Sequence, residues 1–249
     1  MTEVVISGCC GKMGRVVNEI ISNRNDAHVC EGIDINAVKY SDFTVVSCPN
    51  QLTSKPDVII DFSHPSSLGG LLDYAKTNGT ALVLASTGYN DEEIAKIKSA
   101  AKEVPIFFTA NMSLGINLMR ELAKKAVSVL GNQFDIEIIE RHHNQKIDAP
   151  SGTALMLAES INEASDGQYN YVYDRHSVRK KRDAKEIGIH SVRGGTIVGE
   201  HEIVFAGRDE VITITHSAAS KQVFAVGAVN AAIFLQGKPA GLYSMADMI

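Results

Sequence analysis

The stretch Val4-Val5-Ile6-Ser7-Gly8-Cys9-Cys10-Gly11-Lys12-Met13-Gly14 decides the fold class of this chain. Val4–Ile6 is a short unbroken apolar run, the pattern of a strand buried on both faces. Three glycines spaced G-x-x-G-x-x-G follow it, and Arg15–Ile21 then repeats its apolar residues with a helical period. Strand, glycine turn and helix in that order let backbone N–H groups approach a pyrophosphate while the helix N-terminus faces its charge. The spacing is one residue off G-x-G-x-x-G, so on its own the loop also reads as an ordinary glycine-rich turn. Its context narrows the choice. Val29–Asp34 is a second apolar-flanked segment, and it ends in an acid twenty positions after Gly14, where a ribose-binding carboxylate belongs. Asp34 would accept hydrogen bonds from the adenosine ribose hydroxyls and repel a 2′-phosphate. Ile35 follows, so no arginine is adjacent to receive that phosphate, although Lys12 and Lys39 remain as substitutes. The pattern favours NADH over NADPH.

Working outward, Val58–Phe62, Ala81–Ala85 and Pro105–Phe108 read as further buried strands. His64-Pro65-Ser66-Ser67 opens a helix through Leu68–Lys76. Asn90-Asp91-Glu92-Glu93 opens another, with acids in its first turn. Alternating strands and helices predict an α/β, Rossmann-like, mainly parallel sheet with helices on both faces. Ligands of such sheets sit beyond the C-terminal strand ends. Those tips are Gly8–Gly14, Asp34, Phe62–Pro65, Ala85–Gly88 and Thr109–Met112, all small or polar enough for a cofactor cleft.

From Ser113 the pattern changes. Leu114–Leu130 is one amphipathic helix stopped by Gly131, and Phe134–Glu140 alternates apolar and polar as a half-exposed strand does. A helix at about 153–162 precedes a polar, tyrosine-bearing loop. The basic run Arg175–Arg182 reads as a solvated surface segment. No aromatic platform is interleaved with it, so it does not resemble a nucleic-acid patch. Ile187–Val192, Gly199–Ala206 and Val211–Thr215 read as strands following strands, which predicts a smaller α+β domain with a mixed or antiparallel sheet. One face of that sheet needs a cover, either the helix 114–130 or another subunit. Phe224–Leu235 is a small-residue apolar helix that returns to the first lobe. The expected division is 1–112 with 219–249 as a dinucleotide-binding domain, and 113–218 as a substrate-binding and oligomerisation domain. Hinges are expected near Ser113 and Ala218, closing the lobes against water.

The 249 residues fit one large domain or two modest ones. With 45% apolar and 21% charged residues, a sizeable core is within reach and global disorder is excluded. A net charge of −5, from 24 Lys+Arg against 29 Asp+Glu, argues against whole-surface nucleic-acid binding. No run approaches the ~20 apolar residues of a membrane span, and the first residues lack a signal peptide's basic region and cleavage site. Cys9, Cys10, Cys30 and Cys48 match no zinc spacing, so no metal is expected; they read as reduced thiols of a cytoplasmic protein.

The second informative stretch is Glu140-Arg141-His142-His143-Asn144-Gln145-Lys146-Ile147-Asp148-Ala149-Pro150-Ser151-Gly152-Thr153. Two imidazoles, a fixed cation and a Ser-Gly-Thr helix opening lie within a few residues. That inventory suits binding an acidic small molecule and moving a proton on it. It also fits a polar surface loop before a helix.

Taken together, these pieces resemble the 4-hydroxy-tetrahydrodipicolinate reductase family, long called dihydrodipicolinate reductase, over nearly the whole chain. Glu140–Thr153 is the most specific part. Gly8–Gly14, Asp61–Pro65, Asn111–Gly115, and Arg193–Gly195 with Gly199–His201 supply the rest. The resemblance implies an NADH- or NADPH-dependent oxidoreductase of diaminopimelate and lysine biosynthesis that acts on a cyclic imine dicarboxylate as a homotetramer. It places His142 at the proton donor/acceptor and Lys146 at a second proton donor. His143, Gly152 and Thr153 fall on substrate-carboxylate positions. Gly8, Cys9, Cys10, Gly11, Lys12, Met13, Asp34, Ala85, Ser86, Thr87, Thr109, Ala110, Asn111 and Met112 fall on cofactor positions. Ala85-Ser86-Thr87-Gly88 departs from the family's usual G-T-T-G, and Met112 from the aromatic of some members, which leaves cofactor preference open. A related nicotinamide-dependent dehydrogenase, or a dinucleotide-sensing regulator without chemistry, are the rival readings. A sensor has no need of His142, Lys146 and a helix anion site together.

Overall fold

Val4–Ile6 forms the middle of β1 (Thr2–Ser7), and the glycine turn passes into α1 (Lys12–Ser22). In the computed structural model, which describes residues 1–248, the chain continues through β2 (Ala27–Ile33), β3 (Thr44–Val46), β4 (Val58–Asp61), α2 (Leu68–Asn78), β5 (Ala81–Leu84), α3 (Asp91–Ala100) and β6 (Pro105–Phe108). Then come α4 (Leu114–Leu130), β7 (Asp135–His142), α5 (Gly152–Glu163), β8 (Asn170–Val172), β9 (Glu186–Arg193), β10 (Gly199–Ala206) and β11 (Val211–Ala218). The last elements are α6 (Gln222–Leu235) and β12 (Gly241–Tyr243). Two units result, Met1–Ser113 with Gln222–Ile249, and Leu114–Lys221. No helix among the described residues is long and apolar enough to cross a membrane.

The first unit is a seven-stranded sheet in the order β12-β6-β5-β4-β1-β2-β3, parallel throughout. Its continuous apolar strands follow from burial on both faces. Val4, Ile6, Val58, Ile60 and Val83 point into a core with α1 and α6, whereas Val5, Ile59, Leu82 and Leu84 point into one with α2 and α3. The strand order reverses between β1 and β4, so a crevice opens beyond their C-terminal ends. Helix α6 lies close enough to the end of the Thr109–Met112 segment that a Cβ at Gly227 would stand 1.7 Å from the Met112 carbonyl oxygen. The edge strands β3 and β12 went unread in the sequence because each is only three residues long.

The second unit is a five-stranded mixed sheet, β11-β10-β7-β9-β8, with β7 antiparallel to β10 and parallel to β9. One face is covered by α4 and α5, whose Ile116, Met119, Ala123, Leu157 and Ile161 pack on Ile136, Ile138, Ile187, Ile189, Ile203 and Phe205. Two sequence expectations need correction here. The tyrosine-bearing loop contains a short strand, β8. The basic run Arg175–Arg182 is not a merely solvated segment. Arg175 pairs with Glu137 and Glu186 at 2.7 and 3.0 Å, Lys180 with Glu186 at 3.0 Å, and Arg182 with Glu137 and Asp135 at 2.9 and 2.7 Å. Those acids stand at alternate positions of β7 and at the start of β9, so the arginines strap the uncovered side of the sheet.

Candidate active site

The first unit's loop is shaped by what its glycines lack. Gly8 has φ +76°, and a Cβ there would stand 2.8 Å from the Phe62 carbonyl oxygen, because the β1 and β4 tips lie side by side. A Cβ on Gly14 would stand 2.3 Å from the Gly8 oxygen and 2.6 Å from the Cys9 Cα. The first turn of α1 is thus pressed onto the loop, as close helix–strand packing around a dinucleotide site requires. Gly11 is the N-cap and offers no side chain, so the helix end is not closed by a capping group. Asp34 follows β2 immediately. Its Oδ2 accepts the Cys10 N–H at 3.0 Å and its Oδ1 the Asn36 N–H at 3.1 Å. The proposed ribose acid therefore also braces the loop.

The other tips are tied together below the surface. Buried Asp61, at the end of β4, accepts the Ser86 hydroxyl at 2.7 Å and the Ser63 hydroxyl at 2.5 Å. Ser86, flanked by Ala85 and Thr87, thus has its side chain committed to Asp61. Asn111 Oδ1 accepts the Ser113 N–H at 2.8 Å, following Thr109 and Ala110. Met112 is buried in the core with α6, and Cys9 is fully buried. At these two positions the side chain is taken up by the core. Lys12 is exposed on the first turn of α1, with Met13 half-buried beside it. Cys9, Cys10 and Asp34 present ligand atoms within 4.8 Å of one another. Burial and the neighbouring Cys10 push the Cys9 thiol up to about 12, and both Asp34 oxygens already hold backbone N–H groups. That is poor chemistry for a resident metal, since the thiolate is the ligand.

In the second unit strand alternation builds the site. Residues of β7 that face the helices run Ile136, Ile138, Glu140, His142, so one sheet face changes from apolar core to ionisable cluster. Register sets Glu140 opposite Ser191 and His201, and His142 opposite Arg193. Glu140 is fully buried. Arg193 clamps it with two N–H groups, Nη1 to Oε2 at 2.8 Å and Nη2 to Oε1 at 2.7 Å, while the Ser151 N–H donates to Oε1 at 3.2 Å. His142 Nδ1 lies 2.5 Å from Oε2. Burial alone would raise the Glu140 carboxyl. Hydrogen bonds from Arg193, Ser191 and His142 outweigh it and hold the pKa at about 2.

His201 is 4% exposed and meets His142 edge to face at 5.2 Å between ring centroids. Its Nε2 lies 3.0 Å from the Ser151 hydroxyl, which caps α5 by accepting the Ala154 N–H at 3.1 Å. Burial first, then the neighbouring His142, drive the His201 pKa down to about 4. Gly152 starts α5 with open space where a Cβ would stand, and Thr153 is half-buried behind it. Lys146 pairs with Asp148 at 2.8 Å, and its backbone N–H donates to the His143 carbonyl at 3.2 Å. Chemically, the cluster offers an imidazole backed by an ionised carboxylate, an ammonium group and a helix N-terminus on one short segment.

The structure therefore brings His142, His143, Lys146, Gly152 and Thr153 onto one strand end, loop and helix start. The sequence reading did not single out Arg193, His201, Ser151 or Gly199 as site residues. The one local signal was a polar His201 in the apolar alternation of β10; Ser151 is an ordinary N-cap residue, and Arg193 and Gly199 gain their meaning only from the sheet register.

Comparison with known proteins agrees with this architecture. The family description "Dihydrodipicolinate reductase, N-terminus" matches residues 2–112, and "Dihydrodipicolinate reductase, C-terminus" matches residues 115–249. A 4-hydroxy-tetrahydrodipicolinate reductase from Caldanaerobacter subterraneus subsp. tengcongensis is 48% identical over 249 residues, covering 100% of this chain and 98% of that protein. One from Clostridium tetani is 45% identical over 249 residues, covering 100% and 97%. The structure of a dipicolinate-bound dihydrodipicolinate reductase from Paenisporosarcina sp. TG-14 superposes with a TM-score of 0.82 at 27% identity, covering 100% of both chains. With both halves matched in order and relatives above 40% identity along its full length, the chain belongs to the dihydrodipicolinate reductase family.

Proposed function

We propose that the protein is an oxidoreductase that reduces (2S,4S)-4-hydroxy-2,3,4,5-tetrahydrodipicolinate to tetrahydrodipicolinate in diaminopimelate and lysine biosynthesis. The observation that carries the chemistry is the pairing of His142 with a buried, Arg193-clamped Glu140 on the segment that ends in the open helix start Ser151–Thr153. The 4-hydroxyl leaves as water with a proton from the neighbouring ring carbon, forming a conjugated double bond, and a reduced dinucleotide, when bound, would supply the hydride to ring C4. The resulting enamine takes a proton on the neighbouring carbon. His142 delivers that proton, since imidazole exchanges protons near neutral pH. Lys146 holds a carboxylate and shares in the proton transfer, with His143 beside it. The Gly152–Thr153 helix end clamps the same carboxylate through backbone N–H groups.

The cofactor positions are Gly8 to Met13, Asp34, Ala85 to Thr87, and Thr109 to Met112. Asp34 followed by Ile35 supports NADH as the preferred donor, with Lys12 and Lys39 the groups that would accommodate NADPH. The uncovered face of the second unit's sheet, with Val192 and Val211 exposed, supports a homotetramer built through that face.

A coupled assay that follows reduced dinucleotide with synthase-generated substrate tests the reading. His142→Ala is expected to lower kcat by about 100-fold or more with little change in KM for the dinucleotide. Lys146→Ala should impair kcat and substrate binding together. Full turnover by the double variant would remove both residues from the mechanism. Dinucleotide binding without turnover in the wild type would favour the sensor.

A further inference from the structure

We propose that Glu140 is a positioning residue that fixes the tautomer of His142: it keeps a proton on Nδ1 and so makes Nε2 the nitrogen that exchanges protons with substrate. This inference rests on reading His142 as the proton donor and goes beyond it by naming the atom and the group that selects it.

The geometry leaves little choice. Glu140 Oε2 lies 2.5 Å from His142 Nδ1, and a hydrogen bond there needs one proton from one partner. The carboxylate has none to give. It is fully buried, and its two oxygens already accept two N–H groups of Arg193 and the Ser151 N–H. A carboxylate saturated with donors is held ionised, as its low pKa agrees. The proton in the Glu140–His142 bond is therefore the imidazole's. In the neutral ring this leaves Nε2 as the acceptor; in the protonated ring it leaves Nε2–H as the donor that can be lost.

The surroundings of Nε2 agree. On β10, a Cβ at Gly199 would stand 3.2 Å from Nε2. Any side chain at residue 199 would crowd that nitrogen, and glycine leaves room beside it. Among the described residues, Glu140 on its own strand bonds the His142 ring, His201 from β10 meets it edge to face, and Arg193 stands opposite it in the register of β9. The charge of Lys146 also reaches this cluster, since it acts on His201 together with His142 and His216. Arg193 donates to both Glu140 oxygens and so fixes the carboxylate that orients the ring. His201 is held neutral, so it does not add a second positive charge beside the imidazolium.

Nitrogen-15 NMR of histidine-labelled full-length protein tests this. The neutral wild-type His142 should show a protonated, pyrrole-type Nδ1 and a pyridine-type Nε2. Glu140→Gln keeps the shape but introduces an amide N–H that can donate to Nδ1. It should shift the tautomer toward Nε2–H and lower kcat by about 100-fold, leaving KM for the dinucleotide unchanged. Glu140→Asp, which keeps the charge but shortens the reach, should recover part of that loss. A wild-type ring protonated on Nε2, or wild-type kcat in Glu140→Gln, would overturn the proposal. The wild-type spectrum decides even if the variant fails to fold. If His142→Ala loses activity while the wild type carries its neutral-form proton on Nε2, the reductase reading stands and this proposal falls. If His142→Ala turns over at full rate, both fall.

Discussion

The glycine loop Gly8–Gly14 and the Glu140–Thr153 segment are both proposed anion sites, and they are built by opposite means. In the loop the main chain does the shaping, and of its side chains only Lys12 is exposed. Gly8 and Gly14 allow backbone to touch backbone, Cys9 is buried, and the helix end carries no capping side chain. In the second segment side chains set the electrostatics: Glu140, Arg193, His142 and His201 form a cluster of ionisable groups, and the cap of α5 is a serine hydroxyl. The loop should therefore be intolerant of added volume and indifferent to pH over the neutral range. The segment should tolerate volume at its open helix start and respond to charge.

The largest expected effect tests the steric half of that contrast. Gly14→Ala puts a methyl group 2.3 Å from the Gly8 carbonyl oxygen and 2.6 Å from the Cys9 Cα, both backbone atoms that cannot rotate away. Helix α1 must shift off the loop, so Kd for NADH should rise by at least about 100-fold, or roughly 2.7 kcal/mol, with a lowered Tm. Titration of dinucleotide fluorescence and a thermal melt measure both. Gly152→Ala is the matched control in the second segment. No heavy atom lies within 4 Å of its new Cβ, and alanine is the better helix former by about 1 kcal/mol, so its Tm should not fall. Equal damage from the two alanines would erase the distinction.

The electrostatic half predicts how acid acts. His201 has its pKa lowered from 6.5 to about 4, first by burial. Between those values the unfolded chain binds a proton that the folded chain refuses, so folding stability rises with pH there and is lost on acidification. The loss is about 2 to 3 kcal/mol on going from about pH 7.5 to about pH 4.5. Glu140, lowered from 4.5 to about 2, adds to the loss from about pH 5 downward, as the unfolded carboxylate takes a proton that the folded one still refuses. Urea unfolding of the second unit at these two pH values should show the difference, and His201→Gln should flatten it. An unchanged slope in that variant would assign the acid sensitivity to other groups.

How far the sequence could be read follows the same divide. Gly8–Gly14, the alternation of strands and helices, and the mixed second sheet were legible because each depends on local pattern: glycine spacing, period and buried-strand composition. The short edge strands β3, β8 and β12 carry too few residues to show a period. The fates of Arg175, Lys180 and Arg182 were hidden because their acids, Asp135, Glu137 and Glu186, come from β7 and from the start of β9, and only the sheet brings them together. His142 and Lys146 stood out by type. Arg193 and His201 did not, since their meaning comes from a register that pairs residues about fifty to sixty positions apart.

The smallest expected effect asks whether Asp34, the acid after β2 that holds the loop, acts as a ligand or as a brace. Asp34 Oδ2 and Oδ1 hold the N–H groups of Cys10 and Asn36. The substitution Asp34→Asn keeps an acceptor for one of them and removes the charge. Losing one charged acceptor toward a ribose hydroxyl costs about 1 to 2 kcal/mol, so Kd for NADH should rise by roughly 10-fold. NADPH should lose less, because the charge that repels its 2′-phosphate is gone, and the ratio of the two affinities should narrow. If both dinucleotides weaken by the same factor, Asp34 serves only to hold Cys10 and Asn36 in place, and any discrimination between the two has to come from other groups, with Lys12 and Lys39 favouring the 2′-phosphate. In that case even the loop's acid would belong with its glycines, as a device that shapes the main chain.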